Sequence, residues 1–296
     1  MPNPVKLLLC ACLLAGPGPF LGAAGPNHLR VGFPETSFVD LAMQDVRPAL
    51  TIWANEISSN LKGVDGVSTS IFASTDALVA AMGQGEVDLA VLPILDYFQI
   101  ETRVKNDLGF VANHGSSGAQ RYFLVVQAGL PARALRDLRR LRFCHVKKDA
   151  LGLLYLNHAL LKDKLPEVDG FFGEVEAKAK GAQAVTNVYF GRADAALVTE
   201  DAYRTTVAMN PQVERKVRIL LMSARMHSGL AFFRKGMSPA LRTRVLEAVN
   251  HLKNLPRSAQ ILTLFGAAEV SAATEADLAE ARRIYREYRA MKGRFQ

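Results

Sequence analysis

The chain has 296 residues, of which 49% are hydrophobic and 22% are charged, and its formal net charge is +8. This composition is that of a globular protein and excludes a low-complexity chain, and beyond the N-terminus no segment approaches the ~18 apolar residues of a membrane span. The positive charge could suit an anionic ligand or nucleic acid. Its basic residues are interleaved with acids, so we expect solvated surface with a mild preference for anions, and no nucleic-acid partner.

The first 24 residues have the layout of a secretory signal peptide. Lys6 precedes an apolar run, which ends in small residues before an expected cleavage site near Gly25. A short membrane anchor is the alternative, although glycine and proline break the run; a lipoprotein cut at Cys12 is less favoured. The sequence thus predicts an exported, periplasmic protein. Only Cys144 remains in the mature chain, where it is expected to be a buried apolar side chain.

Strand-like and helix-like segments alternate through the first half of the mature chain. The predicted strands lie at 28–33, 67–73, 87–93, 108–113 and 119–129, and the predicted helices at 38–61, 75–85 and 94–104. Pro48 falls inside the first of these helices and predicts a kink or a restart there. The segment 87–93 is continuously apolar, as expected of a strand buried on both faces of a sheet. Such alternation is typical of an α/β fold with a mostly parallel sheet.

The same cycle begins again after Leu130. Further strands are predicted at 141–146, 171–177, 193–198 and 217–223, and helices at 150–161 and 181–191. Beyond residue 236 the chain is predicted to be helical, in three segments at 238–253, 256–266 and 274–291. Two cycles in a chain of this length predict two domains of modest size.

One motif occurs in both cycles. GEVDLAVLPILDY (85–97) and GRADAALVTEDAY (191–203) each read G-x-x-D-x-A, then six residues, then tyrosine. Each copy is predicted to be a glycine helix stop, a buried strand and a segment carrying Tyr97 or Tyr203. Ligands bind at the carboxyl ends of the strands in open α/β sheets. The polar residues after these strands are therefore expected to face each other across a cleft between two lobes.

These stretches, with ALRDLRRLRFCHV (134–146), resemble the solute-binding proteins of ABC transporters, in the phosphate, phosphite and phosphonate branch. The resemblance implies a periplasmic-binding-protein type 2 clamshell with a helical C-terminus, in which residues 25–126 and 228–296 form lobe 1 and residues 127–227 form lobe 2. It implies capture of a small oxyanion, delivery to a membrane permease, and no cofactor. We expect a monomer.

The sequence departs from that family where the second lobe would hold the anion. The stretch KKDALGLLY (147–155) has no serine or threonine, and GAQAV (181–185) has no histidine. Bare amides at a helix start can still bind an anion, and Lys147 and Lys148 would add positive charge. Asp149 would oppose an anion or cap the helix, and a solvated helix start is the alternative for all three residues.

The remaining candidates follow other strands. The complete set of predicted ligand-binding residues is Thr36, Ser37, Ser74, Thr75 and Tyr97 in lobe 1, and Lys147, Lys148, Asp149, Thr199, Glu200, Asp201 and His227 in lobe 2. The hydroxyl groups could bind a ligand or cap helices, and the tyrosines could stack or donate at the cleft. Glu200 and Asp201 could hold an ammonium group on the ligand or lie on the surface. His227 lies near the return to the first lobe.

No enzyme signature occurs in the sequence, and the histidines have no metal-ligand spacing. The interpretation is therefore a transport receptor rather than an enzyme. A ligand-binding sensor that signals to a membrane partner is the alternative, because the same fold serves both roles, and an enzyme built on this fold is less favoured.

Overall fold

The computed structural model describes residues 27–38, 43–60, 63–113, 118–251 and 269–293, and its strands form two sheets. The first sheet, in the order β2-β1-β3-β10-β4-β11, contains β1 (His28–Pro34), β2 (Gly66–Phe72), β3 (Leu89–Pro93), β4 (Asn106–Asn113), β10 (Gly229–Arg234) and β11 (Glu269–Ala272). The second, in the order β9-β5-β8-β6-β7, contains β5 (Tyr122–Gln127), β6 (Arg142–Val146), β7 (Glu174–Lys178), β8 (Ala195–Thr199) and β9 (Val217–Met222).

Helices connect these strands, which confirms the α/β class predicted from the alternating pattern. They are α1 (Met43–Asn60), α2 (Thr75–Gly83), α3 (Ile94–Ile100), α4 (Ala150–Lys162), α5 (Val168–Phe171), α6 (Gly181–Tyr189), α7 (Glu200–Met209), α8 (Gln212–Lys216), α9 (Pro239–His251) and α10 (Glu275–Lys292). Pro48 lies inside α1, which continues past it, so the helix does not restart there. Among the described residues, no helix has both the length and the apolar character needed to cross a membrane.

Several details differ from the sequence-based expectation. The strand β10 and the helices α5, α7 and α8 were not predicted. The C-terminal part contains the strand β11 before α10, where only helices were predicted. The predicted strand 171–177 begins within α5, and the strand itself begins at Glu174, because the two phenylalanines before it are buried in the core beside the helix end. The predicted helix at 256–266 and the predicted signal peptide lie outside the described residues.

Three strands run against the others, namely β10 and β11 in the first sheet and β5 in the second, and the chain passes between the sheets just before β5 and just before β10. β10 is antiparallel to both β3 and β4, and β5 is antiparallel to both β8 and β9, whereas β1 is parallel to its two neighbours and so is β6. Consequently β10 begins beside the end of β3, and β5 begins beside the end of β8. All of β5 pairs within the second sheet, so the predicted lobe boundary at residue 126 falls inside one of its strands; the lobe division itself stays a prediction.

The repeated motif attaches each buried strand to its neighbour. In the first copy, Asp88 Oδ2 accepts hydrogen bonds from the backbone N (3.2 Å) and Nε (2.7 Å) of Arg30. In the second copy, Asp194 Oδ2 accepts from the backbone N (3.0 Å) and Nε (3.1 Å) of Arg142. In both copies the aspartate N–H returns a bond to the arginine carbonyl, at 2.8 and 2.9 Å. In both copies of the motif, the aspartate therefore attaches its strand to the neighbouring parallel strand through the same set of hydrogen bonds.

The glycines of the motif end the preceding helices. Gly85 and Gly191 have φ values of +76° and +71°. Residues other than glycine rarely adopt this left-handed backbone conformation. The N–H groups of the two glycines donate to Met82 O and Val188 O, each at 3.1 Å, and so close the last turn of α2 and of α6.

The largest apolar core joins the two sheets through three helices. Residues of α3, α4 and α10 pack together in it, including Ile94, Leu156 and Ile284, each at most 1% exposed. Arg282 of α10 pairs with Glu101 at the end of α3 at 3.0 Å, and Glu287 of α10 pairs with His158 of α4 at 2.8 Å. The C-terminal helix therefore contacts elements that flank both sheets.

The one cysteine predicted for the mature chain lies in the core of the second sheet. Cys144 is 1% exposed, and burial raises the pKa of its thiol to about 12. The thiol therefore stays protonated at neutral pH, which confirms the expectation of a buried apolar side chain.

Candidate functional site

The carboxyl ends of both sets of parallel strands adjoin the segments that cross between the sheets. Gln120 and Met226, one on each crossing segment, exchange two backbone hydrogen bonds of 2.9 and 2.8 Å. On the first sheet, Ser228 O accepts from Ile94 N at 2.9 Å, directly after β3. On the second sheet, Tyr122 of β5 lies opposite Thr199 at the end of β8. The candidate site therefore lies around this paired crossing.

Asp96 organises the candidate residues of the first sheet. Its Oδ2 accepts hydrogen bonds from Thr36 Oγ1 at 2.7 Å and from Thr75 Oγ1 at 3.1 Å. The structure thus brings the two threonines together from the ends of β1 and β2. Both hydroxyl protons are directed to a carboxylate, which leaves the oxygen lone pairs for other donors.

The two serines and Tyr97 make other contacts. Ser37 Oγ donates to Val91 O at 3.2 Å, and Ser74 Oγ accepts from Ala77 N at 3.1 Å as the N-cap of α2. Tyr97 is 4% exposed, its ring packs against Phe232, and its hydroxyl lies 3.5 Å from Asn106 Oδ1. Burial raises the pKa of Tyr97. In this conformation Tyr97 is a core residue, and its role as a ligand contact stays a prediction.

Asp149 occupies the N-terminus of α4. Its Oδ1 accepts hydrogen bonds from Gly152 N at 3.0 Å and from the Tyr122 hydroxyl at 2.9 Å. Burial and the negative charge of Asp149 raise the pKa of Tyr122 well above its ordinary value, so the phenol stays a neutral donor. The carboxylate thus fills the place where the family was expected to hold an anion. Lys147 and Lys148 are exposed beside it.

Gly152 makes this arrangement possible. A Cβ atom at this position would lie 2.7 Å from Tyr122 Cε1 and 2.8 Å from Asp149 Oδ2, closer than real Cβ contacts. The sequence D-x-x-G at the start of a helix therefore indicates a carboxylate that accepts a hydrogen bond from its own helix. This signal can be recognised from the sequence alone.

The acids of the second sheet lie at the start of α7. Thr199 caps this helix by accepting from Ala202 N at 3.2 Å, and Asp201 is exposed. Glu200 is buried and pairs with Arg204 Nε at 2.7 Å and with Arg225 Nη2 at 3.0 Å. Burial raises the pKa of Glu200, but Arg204, Arg225 and the nearby charge of Arg121 together outweigh burial, so its pKa is lowered. Its negative charge is therefore balanced by the protein itself.

We expect Glu200 to make the protein more sensitive to acid. Because its pKa is lower in the folded chain than the ordinary value of 4.5, the carboxylate stabilises the fold above that value, and the contribution is lost as the pH falls through the lowered pKa. Glu200→Gln should reduce stability at pH 7 and lose less stability than the wild type between pH 7 and pH 3. Urea unfolding midpoints measure this. A loss of stability between pH 7 and pH 3 that is the same in Glu200→Gln as in the wild type would contradict the assignment.

His227 is buried on the crossing segment that returns to the first sheet. Its Nδ1 lies 3.1 Å from Ala112 O, and its Nε2 lies 3.5 Å from Asp277 Oδ1 at the start of α10. Burial raises the pKa of Asp277, but its bonds from Thr274 and the charge of His227 outweigh burial and lower it. These contacts place His227 between β4 and α10. Its role in ligand binding stays a prediction.

Four residues at this site were missed in the sequence: Asp96, Arg121, Tyr122 and Arg225. Asp96 follows a predicted buried strand, as Thr199 does, and that position was a usable signal. Arg121 falls at the start of the predicted strand 119–129 and Arg225 falls between predicted elements, and neither position carries a sequence signal for a ligand contact. Within the described ranges, no group of histidine, cysteine, aspartate and glutamate side chains could hold a metal ion.

Comparison with known proteins agrees with this geometry. A family model described as ABC transporter, phosphonate, periplasmic substrate-binding protein matches residues 41–278. A search of curated protein sequences finds no significant match.

Solved structures share the fold at low identity. XAC2383 from Xanthomonas citri bound to ATP is 14% identical with a TM-score of 0.61, and the alignment covers 90% of this chain and 98% of that one. PhnD1 from Prochlorococcus marinus in complex with methylphosphonate is 16% identical with a TM-score of 0.60, with coverage of 90% and 99%. A binding protein component of an ABC phosphonate transporter from Pseudomonas aeruginosa, PA3383, is 11% identical with a TM-score of 0.58, with coverage of 90% and 87%.

The structural likeness confirms the expected periplasmic-binding-protein type 2 fold, and the family model covers most of the chain. Two α/β sheets, joined by a paired crossing with polar side chains along the adjoining edges, have the arrangement expected of such a receptor. This family consists of substrate-binding proteins and not of enzymes. The chain belongs to the family of periplasmic phosphonate-binding proteins of ABC transporters.

Proposed function

We propose that this protein is exported, captures a small anionic solute of the phosphate or phosphonate type in the periplasm, and delivers it to the permease of an ABC transporter. The observation that carries the proposal is the paired crossing at Gln120 and Met226, which lies between the two sheet edges at which a ligand is expected. The family match and the fold shared with the methylphosphonate complex of PhnD1 support the class of solute. The family description names a transporter component and does not favour the sensor alternative.

The crossing supports a hinged capture mechanism. Both connections are short in sequence: eight residues (114–121, of which 118–121 are described) separate β4 from β5, and six residues (223–228) separate β9 from β10. Hinge closure in binding proteins is absorbed by a few residues at such connections. We place the lobe division at these segments. Closure would bring Asp96 with its two threonines towards Tyr122, Asp149 and Glu200, so that a solute contacts both lobes.

A thermal-shift titration combined with small-angle scattering tests this function. A ligand that binds only the folded state, at one hundred times its Kd, stabilises the protein by about 2.7 kcal/mol, which gives a rise of several degrees in Tm. We expect such a rise with methylphosphonate or inorganic phosphate, together with a smaller radius of gyration. Sodium acetate at equal ionic strength is the control. A protein whose Tm and radius do not respond to either anion does not have the proposed function.

A further inference from the structure

The side chain of Arg121 contains a buried donor with no partner in the described part of the chain. Its Nε is buried and makes no hydrogen bond, whereas its Nη1 donates a long hydrogen bond of 4.0 Å to Met222 Sδ. Most buried N–H groups in folded proteins have a partner, so such a group calls for a functional explanation. Arg234 also has an unbonded Nε, but its Nη2 pairs with Asp88 at 3.1 Å, and its charge therefore serves the fold.

Arg121 lies where a ligand is expected. It directly precedes β5 on a crossing segment, and its carbonyl accepts a hydrogen bond of 2.8 Å from Glu200 N, at the first residue of α7. This position is at the carboxyl edge of the second sheet, the edge at which open α/β sheets bind ligands. No pattern in the sequence distinguished Arg121 from the other arginines.

The charge of Arg121 is not cancelled by its neighbours. The buried acid Glu200 interacts electrostatically with Arg121, but its two oxygens already accept hydrogen bonds from Arg204 and Arg225. Three arginines thus surround one buried carboxylate. The exposed Asp201 is the other acid at the start of the helix. The cluster retains net positive charge at the crossing, which favours an anionic ligand.

The alternative anion position is closed. At the N-terminus of α4, Asp149 takes the Gly152 amide and the Tyr122 hydroxyl, and its own negative charge repels an anion. A phosphonate group bound at this site therefore needs a positively charged partner other than the N-terminus of α4.

We propose that Arg121 is the principal anion-binding residue of this receptor and that its guanidinium binds two oxygens of the phosphonate or phosphate group. Guanidinium groups match such oxyanions with two parallel hydrogen bonds, which an ammonium group cannot reproduce. The orphaned Nε gains its missing partner when the ligand arrives. This inference rests on the proposed function and names the subsite that carries it.

Titration calorimetry with methylphosphonate and with inorganic phosphate tests the inference on four proteins. They are the wild type, Arg121→Gln, Arg121→Lys and the matched control Arg204→Gln, which removes an exposed arginine from the same cluster. We expect Arg121→Gln to bind at least tenfold more weakly, because a charge-assisted hydrogen bond is lost, and Arg121→Lys to recover only part of the affinity. Arg204→Gln should stay within about twofold of the wild type, since its guanidinium pairs with Glu200.

The outcomes separate this inference from the proposed function. If the wild type binds neither anion, the proposed function fails and the subsite fails with it. If the wild type binds and Arg121→Gln binds equally well, only the subsite is overturned. An equal loss in Arg204→Gln and Arg121→Gln would overturn it as well, because the effect would then come from the general charge of the cluster. Thermal melting of each variant separates a binding defect from misfolding.

Discussion

Asp88→Ala is expected to be the most destabilising of the single substitutions considered, with a loss of about 3 kcal/mol in the free energy of unfolding. The Asp88 side chain is only 4% exposed and pairs with both Arg30 and Arg234. Its removal leaves two partly buried guanidinium groups and one backbone N–H without their acceptor. The value is at the low end of the range for a broken buried ion pair, since both arginines retain access to water.

The second copy of the motif supplies the control for this experiment. Asp194 makes the same bonds to Arg142, but its side chain is 17% exposed and that of Arg142 is 44% exposed. We expect Asp194→Ala to cost only about 1 kcal/mol, because water replaces much of the lost interaction. Urea unfolding of both variants, monitored by circular dichroism, gives the two values. Equal losses of stability in the two variants would contradict this expectation, because the more exposed Asp194 should lose less than Asp88.

Asp149→Ser is expected to raise the affinity for methylphosphonate at least tenfold. The substitution removes a negative charge from the N-terminus of α4, where a charge a few ångströms from the ligand contributes several kcal/mol even at a moderately high effective dielectric constant. Serine also caps helices well, so the Gly152 amide keeps an acceptor when no ligand is bound. The Tyr122 hydroxyl can then donate to the serine or to the ligand. The substitution also places a serine at the start of this helix, where the family resemblance led us to expect serine or threonine.

Titration calorimetry with methylphosphonate on three variants checks this expectation. Asp149→Asn removes the charge without adding a hydroxyl donor and should give a smaller gain than Asp149→Ser. Asp201→Asn removes an exposed acid at the start of α7 and should change the affinity little. If Asp149→Ser binds no better than the wild type, the anion does not approach α4 in this protein.

The sequence and the structure agree on most of the fold. Hydrophobic periodicity located nearly every strand of both sheets and most helices, because the face that an element buries is written into contiguous residues. The strands β10 and β11 were not predicted. β11 is only four residues long and lies at the edge of its sheet, so few of its residues are buried and its apolar pattern is weak. For the site, the sequence predicted that residues following the strands bind the ligand, and this stays a prediction. The structure brings two of them, Thr36 and Thr75, together around Asp96, which had not been selected from the sequence.

The sequence by itself determined the order of elements, the glycine helix stops at 85 and 191, the family and the departure from it at Asp149. Only the tertiary structure decided the partners of these residues. Arg30 and Asp88 are 58 positions apart, and Tyr122 and Asp149 are 27 apart, so their contacts depend on which strands become neighbours. Tyr97 shows the same limit: the motif predicted its helix, but the side chain turned into the core against Phe232, a residue of β10 far along the chain. Local periodicity specifies which face is buried, whereas the identity of the contact is set by the packing of distant segments.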